Sequence, residues 1–242
     1  MKKILVFIPA YNVENYIFLL FKQIPKTIFK KNKIQFLIIN DNSSDNTKKE
    51  INRIKKYFNY KIFVHNLKKN IGYGDVQKRA FNFSIKKNFD YVIMLHGDGQ
   101  YTPKALPKFI KFLCENKYGA VFGSRMLNYK SALRGGMPYY KFIGNIFLTA
   151  IQNLILSSKI SEFHSGYRSY DIKSLKKVNY KNNTNSFHFD TQITIRFLLK
   201  NIKILEIPIP TIYGDQISHL KSIPYGLNIL FTTIRYKLNN KD

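Results

Sequence analysis

The fold is decided near the amino terminus, where residues 3–22 are KILVFIPAYNVENYIFLLFK. The continuous apolar run Ile4–Ile8 predicts a buried strand that ends at Pro9, and Val13–Lys22 predicts a helix after it. The same alternation continues with strands predicted at Ile34–Ile39, Lys61–His65, Tyr91–Leu95 and Ala120–Gly123, and helices at Asp45–Phe58, Val76–Lys87 and from Pro103 onward. Continuous apolar strands between helices indicate an α/β, Rossmann-like fold, with a mostly parallel central sheet and helices on both faces.

The second half of the chain is less regular, but it continues without a repeat, a low-complexity tract or a linker. A loop is predicted over Met126–Met137, which contains two consecutive glycines. The remaining predicted elements are amphipathic helices near Pro138–Ser157 and Tyr225–Leu238, a short segment at Ser165–Tyr170, a helix near Phe189–Leu199 and a strand at Ile202–Ile207. We therefore expect one continuous α/β domain.

The composition limits the classes of function. The chain has 40 basic and 14 acidic residues in 242, a net charge of +26 that would suit nucleic acid, anionic lipid or phosphorylated small molecules. An excess of Lys, Asn and Ile also arises from an AT-rich genome, so the charge alone selects no partner. The single cysteine, Cys114, excludes a disulfide framework and cysteine-rich zinc modules, and it favours a reducing compartment.

The sequence predicts no segment that crosses a membrane. The amino-terminal apolar run is short and meets Asn12 and Glu14 without a cleavage site, unlike a signal peptide. The longest later run, Phe142–Leu156, is interrupted by amides and falls short of the roughly 18 to 20 apolar residues that span a bilayer. We expect a cytoplasmic protein.

Polar segments follow the predicted strands, at the edge where parallel sheets bind ligands. They are FIPAYNVE, INDNSSDNT, NIGYGDVQKRA, LHGDGQYTP and GSR, followed by SGYRSY, FHFDTQI and IPIPTIYGDQIS in the second half. In this order and spacing they resemble the family 2 glycosyltransferases of the GT-A fold, most of all the dolichyl- and polyprenyl-phosphate sugar synthases. The resemblance covers about residues 3–220. It implies transfer of a sugar from a nucleoside diphosphate donor to an acceptor, with inversion and with Mn²⁺ or Mg²⁺.

The resemblance divides the chain into a glycosyltransferase domain over residues 1–220 and a C-terminal amphipathic helix over residues 221–242. Within the domain, it implies a nucleotide-sugar half over about residues 1–125 and an acceptor half over about residues 126–220.

The resemblance assigns the donor to residues that follow the first three strands: Pro9, Tyr11, Asn12, Glu14, Asp41, Asp45 and Gly72. Tyr11 would lie beside the base, and a carboxylate such as Asp41 can accept hydrogen bonds from a base or ribose. Gly72 would let the backbone approach the ligand closely. Two alternatives stay open: Pro9–Asn12 is an ordinary strand-to-helix turn, or Asp45 only caps the next helix.

The segment His96–Gln100 matches the family's metal motif, Asp-x-Asp followed by Gly-Gln. Asp98 holds the second acidic position, which implies a ligand to the metal on the donor diphosphate and a catalytic role; Gln100 would contact substrate. His96 stands where the family has its first Asp. Imidazole suits Mn²⁺ better than Mg²⁺, so His96 is either a ligand that changes the metal preference or a residue that orients Asp98 or the ribose.

Three arginines and one more carboxylate complete the predicted site. Arg125, Arg134 and Arg168 match positions near the phosphates or the acceptor, where a guanidinium binds oxygens bidentately; the alternative is a salt bridge. Asp190 is the candidate base for a hydroxyl acceptor, or else a charge at a helix start.

The predicted partners are a nucleotide-sugar donor and a lipid-linked phosphate acceptor, met by a peripheral protein on the inner face of the cell membrane. The competing interpretations are transfer to a sugar hydroxyl in cell-surface polysaccharide synthesis, and a catalytically silent relative that keeps only the sugar-nucleotide pocket. A nucleic-acid partner is not expected, because the lysines are spread along the whole chain. A nucleotidyltransferase would need a Gly-rich loop after the first strand, which PAYNVEN is not.

Overall fold

The computed structural model describes residues 1–210, Tyr213 and residues 222–239. In this part of the chain seven strands form one sheet in the order β3-β2-β1-β4-β6-β5-β7. The strands are β1 (Lys2–Ala10), β2 (Asn32–Asn40), β3 (Ile62–Asn66), β4 (Tyr91–Met94), β5 (Ala120–Ser124), β6 (Arg168–Asp171) and β7 (Ile204–Pro208). β6 runs antiparallel to both of its neighbours, and every other pair is parallel. The expected α/β fold with a mostly parallel sheet is confirmed.

Helices cover both faces of the sheet. They are α1 (Ile17–Lys22), α2 (Thr47–Tyr57), α3 (Tyr73–Lys86), α4 (Leu106–Cys114), α5 (Tyr129–Arg134), α6 (Tyr139–Leu156), α7 (Ile172–Leu175), α8 (Phe189–Leu199) and α9 (Ser222–Asn239). Alternate residues of β1 point to opposite faces: Val6 belongs to one buried cluster with Phe21 and Phe109, and Phe7 belongs to the other with Phe81. Both faces of the sheet are therefore buried at β1, which is why the run Ile4–Ile8 is apolar without a break.

Several helix starts differ from the prediction by two to four residues, among them those of α1 and α3. α1 begins at Ile17 rather than at Val13, because the N–H groups of Val13 and Glu14 donate to Thr47 Oγ1 and Asp45 Oδ2 in the neighbouring loop. α3 begins at Tyr73, three residues before the predicted start.

The prediction of a loop over Met126–Met137 is wrong. The segment contains a short 3₁₀ turn and then α5, whose first turn is capped by the Asn128 side chain accepting from Ser131 N at 3.1 Å. Ala132 anchors this helix in a small buried cluster. The two glycines that suggested a loop lie just beyond its end.

The C-terminal helix α9 lies in the segment for which the sequence predicts one, and it packs against α6 and α8. Of the predicted motif at Ile207–Ser218, residues 211, 212 and 214–218 lie outside the described residues. Within residues 1–210 and 222–239, we find no helix long and apolar enough to span a membrane.

Candidate active site

Two cavities meet at the carboxyl edge of the sheet. The first cavity has a volume of about 570 Å³ and is lined mainly by the segments that follow β1, β3 and β4. The second cavity has a volume of about 340 Å³ and lies between β4, α6 and the segment 164–166. Four residues line both cavities: Tyr73, His96, Asp98 and Phe187. A ligand in one cavity would therefore be adjacent to a ligand in the other at these side chains.

The turn after β1 forms one wall of the first cavity. Pro9, Tyr11 and Asn12 line it. Asn12 adopts a positive φ of 52°, and its side-chain oxygen accepts from Ser44 N at 2.9 Å. Asparagine tolerates this left-handed backbone better than most residues do, so the turn is held in a defined shape beside the cavity.

Asp41 and Gly72 form the facing wall. The Asp41 carboxylate is buried and accepts from Ile71 N at 2.8 Å and from Gly72 N at 3.2 Å. Gly72 has a φ of 86°, and a Cβ at this position would lie 2.7 Å from the Asn185 carbonyl oxygen. Only glycine fits here, and its absent side chain allows the loop before α3 to contact the segment before α8.

Glu14 and Asp45 line neither of these two cavities, and their contact with the donor stays a prediction. The Asp45 carboxylate accepts from Glu14 N at 3.0 Å and from Thr47 N at 2.9 Å. The Glu14 carboxylate accepts in return from Asn46 N at 2.8 Å. These bonds fasten the turn after β1 to the turn after β2. The N-cap residue of α2 is Asn46, and Asp45 accepts from the first helical N–H from one residue before the cap.

His96 and Asp98 follow β4 at the junction of the cavities. Asp98 Oδ1 accepts from Gln100 N at 3.0 Å, and the Gln100 side chain lines the second cavity. The His96 ring lies directly against Gly166, where an added Cβ would be 2.5 Å from Nε2. The predicted metal motif thus lies where the two ligand spaces touch.

Asp190 lies at the wall of the second cavity, and both of its carboxylate oxygens accept hydrogen bonds. Tyr73 donates to Oδ2 at 2.7 Å, and Gln77 Nε2 donates to Oδ1 at 2.9 Å. Arg168 Nε lies 3.9 Å from Oδ2. Burial and the adjacent Asp190 raise the pKa of Tyr73 well above its ordinary value, so its hydroxyl stays protonated. The Tyr73 hydroxyl also lies 3.3 Å from His96 Nε2.

Arg125 lines the second cavity, but its guanidinium is bound to protein groups. Nε donates to Glu162 Oε1 at 2.7 Å, Nη1 donates to Tyr213 at 2.6 Å, and Nη2 contacts Glu162 and the His164 carbonyl. Burial opposes the charge of Arg125, but the Glu162 carboxylate outweighs it and raises the pKa of the guanidinium. The salt-bridge alternative describes Arg125 better than free phosphate binding does.

Arg168 and Arg134 are not at the cavity walls. Arg168 is fully buried and donates to the carbonyl oxygens of Ser165, Phe163 and Asp190 at 2.6 to 2.9 Å. Arg134 is exposed at the end of α5 and lines neither cavity. The contacts of Arg168 agree with a structural role, and phosphate binding by these two arginines stays a prediction.

The candidate metal ligands are few. Among the described residues, no group of three or more His, Cys, Asp or Glu side chains could hold an ion. Mg²⁺ is commonly held by one or two carboxylates together with substrate phosphates and water, so Asp98 at the junction fits such an ion without a complete protein cage. His96, which lines the same junction, is the second candidate ligand.

Several residues of the site were missed by the sequence analysis. Tyr73 and Glu162 contact the predicted residues Asp190 and Arg125, and His164 and Lys141 line the second cavity. Burial lowers the pKa of His164 to about 3. One signal was present for Glu162, which is one of only 14 acidic residues in a strongly basic chain.

Comparison with known proteins identifies the family of the chain. The family model for glycosyl transferase family 2 matches residues 5–179. The UDP-N-acetylglucosamine–dolichyl-phosphate N-acetylglucosaminyltransferase of Methanococcus voltae is 24% identical over 249 residues, covering 98% of this chain and 97% of that protein. An uncharacterized protein of Methanocaldococcus jannaschii is 28% identical over 237 residues, covering 98% of this chain and 93% of that one.

Solved structures share the fold. Glucosyl-3-phosphoglycerate synthase from Mycobacterium tuberculosis, in complex with Mg²⁺ and UDP, superposes with a TM-score of 0.71 at 14% identity, covering 100% of this chain and 81% of that one. The same enzyme with Mn²⁺, UDP and phosphoglyceric acid gives a TM-score of 0.70. Because the family model covers well over half of the sequence and these neighbours have the GT-A fold, the chain belongs to glycosyl transferase family 2 and is a glycosyltransferase.

Proposed function

We propose that the first cavity binds a nucleoside diphosphate sugar and that the second cavity binds the acceptor, to which the sugar is transferred with inversion. The observation that carries the proposal is that the two cavities share one wall, at His96 and Asp98. A single displacement needs the acceptor and the leaving diphosphate on opposite sides of the anomeric carbon. Two adjoining cavities with a shared wall support such an arrangement.

The nucleoside would lie against Tyr11, and Asp41 would be on the opposite wall of the first cavity. Tyr11 lines the first cavity and is 39% exposed. The shape of the first cavity is set by hydrogen bonds within the protein, such as those from Ile71 N and Gly72 N to the Asp41 carboxylate. A preformed pocket loses less conformational entropy on binding than one that the ligand must order.

Asp98 would hold the divalent ion with the donor diphosphate, and His96 would be its second protein ligand. When bound, the ion neutralises negative charge that develops on the diphosphate as the glycosidic bond breaks. The imidazole favours Mn²⁺ over Mg²⁺, because nitrogen is the softer ligand. Asp98 also accepts from Gln100 N, which fixes the carboxylate between the two cavities.

We propose a lipid-linked phosphate as the acceptor, for a reason that involves the helices beside the second cavity. α6 exposes Tyr139, Tyr140, Ile143 and Phe147, and Tyr140 also lines the second cavity. An apolar surface that continues into a polar cavity suits a molecule with a long apolar chain and a polar head. The relative from Methanococcus voltae is named for transfer to dolichyl phosphate.

A phosphate acceptor also agrees with the state of Asp190. Its two oxygens already accept bonds from Tyr73 and Gln77, which leaves it poorly placed to take a proton. An acceptor phosphate is ionised at neutral pH and needs no general base. Lys141, on the wall of the second cavity, would attract the phosphate.

The first experiment measures transfer from UDP-sugars and other nucleotide sugars, with Mn²⁺ or Mg²⁺, to polyprenyl phosphate. Asp98→Ala should abolish turnover while the thermal unfolding midpoint stays within a few degrees of wild type. Asp75→Ala is the matched control, because this carboxylate lies in α3, outside both cavities, and pairs with Arg79 at 3.7 Å. More than a tenth of wild-type turnover in Asp98→Ala would reject the metal role. A folded wild type with no turnover of any donor would indicate the catalytically silent relative.

The second experiment separates a phosphate acceptor from a sugar hydroxyl, the alternative supported by the position of Asp190 on the cavity wall. Asp190→Asn removes a base but can still accept the Tyr73 hydrogen bond. Transfer to polyprenyl phosphate should persist in this variant. Transfer to a soluble sugar in wild type, lost in Asp190→Asn, would favour the hydroxyl acceptor and polysaccharide synthesis.

A further inference from the structure

The position of one proton decides which ring nitrogen of His96 keeps a lone pair that could bind an ion. A tyrosine hydroxyl has a single proton to donate. Tyr73 lies 2.7 Å from Asp190 Oδ2 and 3.3 Å from His96 Nε2. The carboxylate only accepts, so the shorter bond takes the tyrosine proton, and the tyrosine oxygen is left to accept. His96 Nε2 must then carry a hydrogen and donate it to Tyr73.

We infer that Asp190 and Tyr73 are positioning residues that hold His96 in the tautomer with hydrogen on Nε2, which leaves the lone pair of Nδ1 for a divalent ion at the cavity junction. Metal-binding histidines usually donate their other ring N–H to an acceptor, which fixes the ring and makes the ligating nitrogen more basic. The inference depends on the proposed function only for the presence of the ion. The tautomer itself is argued from the contacts of Tyr73.

Asp190 and Tyr73 are each held in place by further contacts. Asp190 cannot turn away, because Gln77 Nε2 donates to its other oxygen at 2.9 Å and Arg168 lies at 3.9 Å. The Tyr73 ring packs against Phe187 with ring centroids 5.3 Å apart. The order Asp190, Tyr73, His96 therefore runs from the buried side of α8 to the junction of the cavities.

The contact surface of His96 is specific to an imidazole. Gly166 lies so close that a Cβ there would be 2.5 Å from Nε2 and 3.2 Å from the Tyr73 hydroxyl. The ring edge of Tyr101 packs on the other side, with centroids 5.2 Å apart. An imidazole fits between these neighbours and reaches Tyr73. It can donate a hydrogen bond from one ring nitrogen while the other nitrogen keeps a lone pair for a metal ion.

The direct test requires no ligand. The ¹⁵N resonances of the imidazoles, recorded at a pH well above the ordinary histidine pKa, distinguish a protonated ring nitrogen from one with a lone pair. The His96 signals are assigned by their disappearance in His96→Gln. We expect hydrogen on Nε2 in wild type and a mixture of tautomers in Tyr73→Phe. Hydrogen on Nδ1 in the wild-type protein would overturn the inference.

The second test measures Mn²⁺ binding by electron paramagnetic resonance in the presence of UDP. Tyr73→Phe should weaken Mn²⁺ binding by about 10-fold, the lower end of what loss of such a supporting contact costs. UDP is kept saturating for every variant, so that a change in nucleotide affinity does not enter the comparison. Tyr101→Phe is the matched control, because its hydroxyl accepts from Gly166 N at 3.0 Å and does not bond His96. Mn²⁺ affinity within about twofold of wild type is expected for this control.

A double-mutant comparison tests whether Tyr73 affects Mn²⁺ binding through His96. In a His96→Ala background, Tyr73→Phe should have no further effect on Mn²⁺ affinity, because the tyrosine then has no ring to hold. An equal loss in both backgrounds would overturn the inference. Failure of wild type to bind UDP and Mn²⁺ at all would instead refute the proposed function and leave the tautomer result intact.

Discussion

Arg168 is a charged side chain in the core, and its hydrogen bonds show why an arginine is needed there. Its guanidinium donates to three backbone carbonyls and to Thr194 Oγ1. Because one of those carbonyls belongs to Asp190, Arg168 fixes the start of α8. Lysine has three donors at a single point and cannot reproduce a planar fork.

Arg168→Lys should therefore lower the free energy of unfolding by about 3 kcal/mol, the usual scale for disrupting a buried ionic network. The measurement is urea unfolding. Arg134→Lys is the control, since Arg134 is exposed and its replacement should change stability by less than about 0.5 kcal/mol. If Arg168→Lys kept wild-type stability but lost affinity for UDP, the phosphate-binding role predicted for Arg168 would be supported.

His164 gives the protein an acid sensitivity that a single substitution can isolate. Its Nε2 is buried without a partner among the described residues, and burial lowers the pKa of the ring to about 3. The folded protein keeps the ring neutral, whereas the unfolded chain takes up a proton below about pH 6.5. The stability contributed by this difference is complete above that pH and is lost as the pH falls toward 3.

Between about pH 7 and pH 5 the wild type should lose up to about 2 kcal/mol more unfolding free energy than His164→Gln. Urea unfolding at both pH values provides the comparison, and the other titrating groups cancel between the two proteins. Parallel losses in wild type and variant would show that His164 is protonated as easily in the folded protein as in the unfolded chain.

Sequence reasoning could find site residues only where a strand end marks them. Asp41 and Asp98 follow buried strands, so the carboxyl-edge rule alone points to them. Tyr73 and Asp190 are 117 residues apart, and Arg125 and Glu162 are 37 apart. Such pairs form only through packing of the second half on the first, and no local pattern encodes them. This is why the sequence left phosphate binding and a salt bridge as alternatives for Arg125 and Arg168.

Among the elements, the strands that are apolar throughout were predictable and the polar ones were not. β6 lies in the middle of the sheet, yet its four residues are Arg-Ser-Tyr-Asp. It is stabilised by specific bonds such as that from Ser169 Oγ to Val121 O at 2.8 Å. A burial pattern built from hydrophobicity cannot reveal such a strand. α5 escaped prediction for a related reason, because six residues are too few for a clear periodicity.

The start of α3 depends on contact with the segment before α8, and Gly74 tests that contact. A Cβ at Gly74 would lie 2.3 Å from the Thr184 carbonyl oxygen, and Gly74 N donates to Asn185 O at 2.8 Å. Gly74→Ala should lower the free energy of unfolding by about 2 kcal/mol, because a backbone atom has to move.

Gly144→Ala is the matched control for that substitution. Gly144 lies within α6, and a Cβ there would meet nothing within 4 Å. Alanine should therefore stabilise the helix by about 0.5 to 1 kcal/mol. If thermal or urea unfolding gave the same change for both variants, the close approach between α3 and the segment before α8 would play no part in stability.

At the scale of the whole molecule, the net charge of +26 and the exposed apolar residues have to be considered together. α9 exposes Leu227, Phe231, Ile234 and Leu238 at the three- and four-residue spacing of one helical face, and it packs against α6. Neither helix contains an acidic residue, and Lys141, Arg235 and Lys237 supply only positive charge. Apolar stripes with a purely basic surround are typical of helices that lie in the interface of an anionic membrane.

We therefore expect the protein to sediment with vesicles that contain anionic phospholipid and not with purely zwitterionic ones. Binding should weaken between low and physiological salt, since each Lys or Arg near the surface contributes only about 1 kcal/mol and salt screens it. Phe147→Ser with Phe231→Ser should reduce binding at physiological salt at least fivefold by removing apolar anchors. Leu19→Ser is the control, because this leucine is 53% exposed on α1, outside the α6 and α9 stripes. Equal binding by all variants would assign the attraction to charge alone, and no binding at low salt would place the acceptor away from the membrane surface.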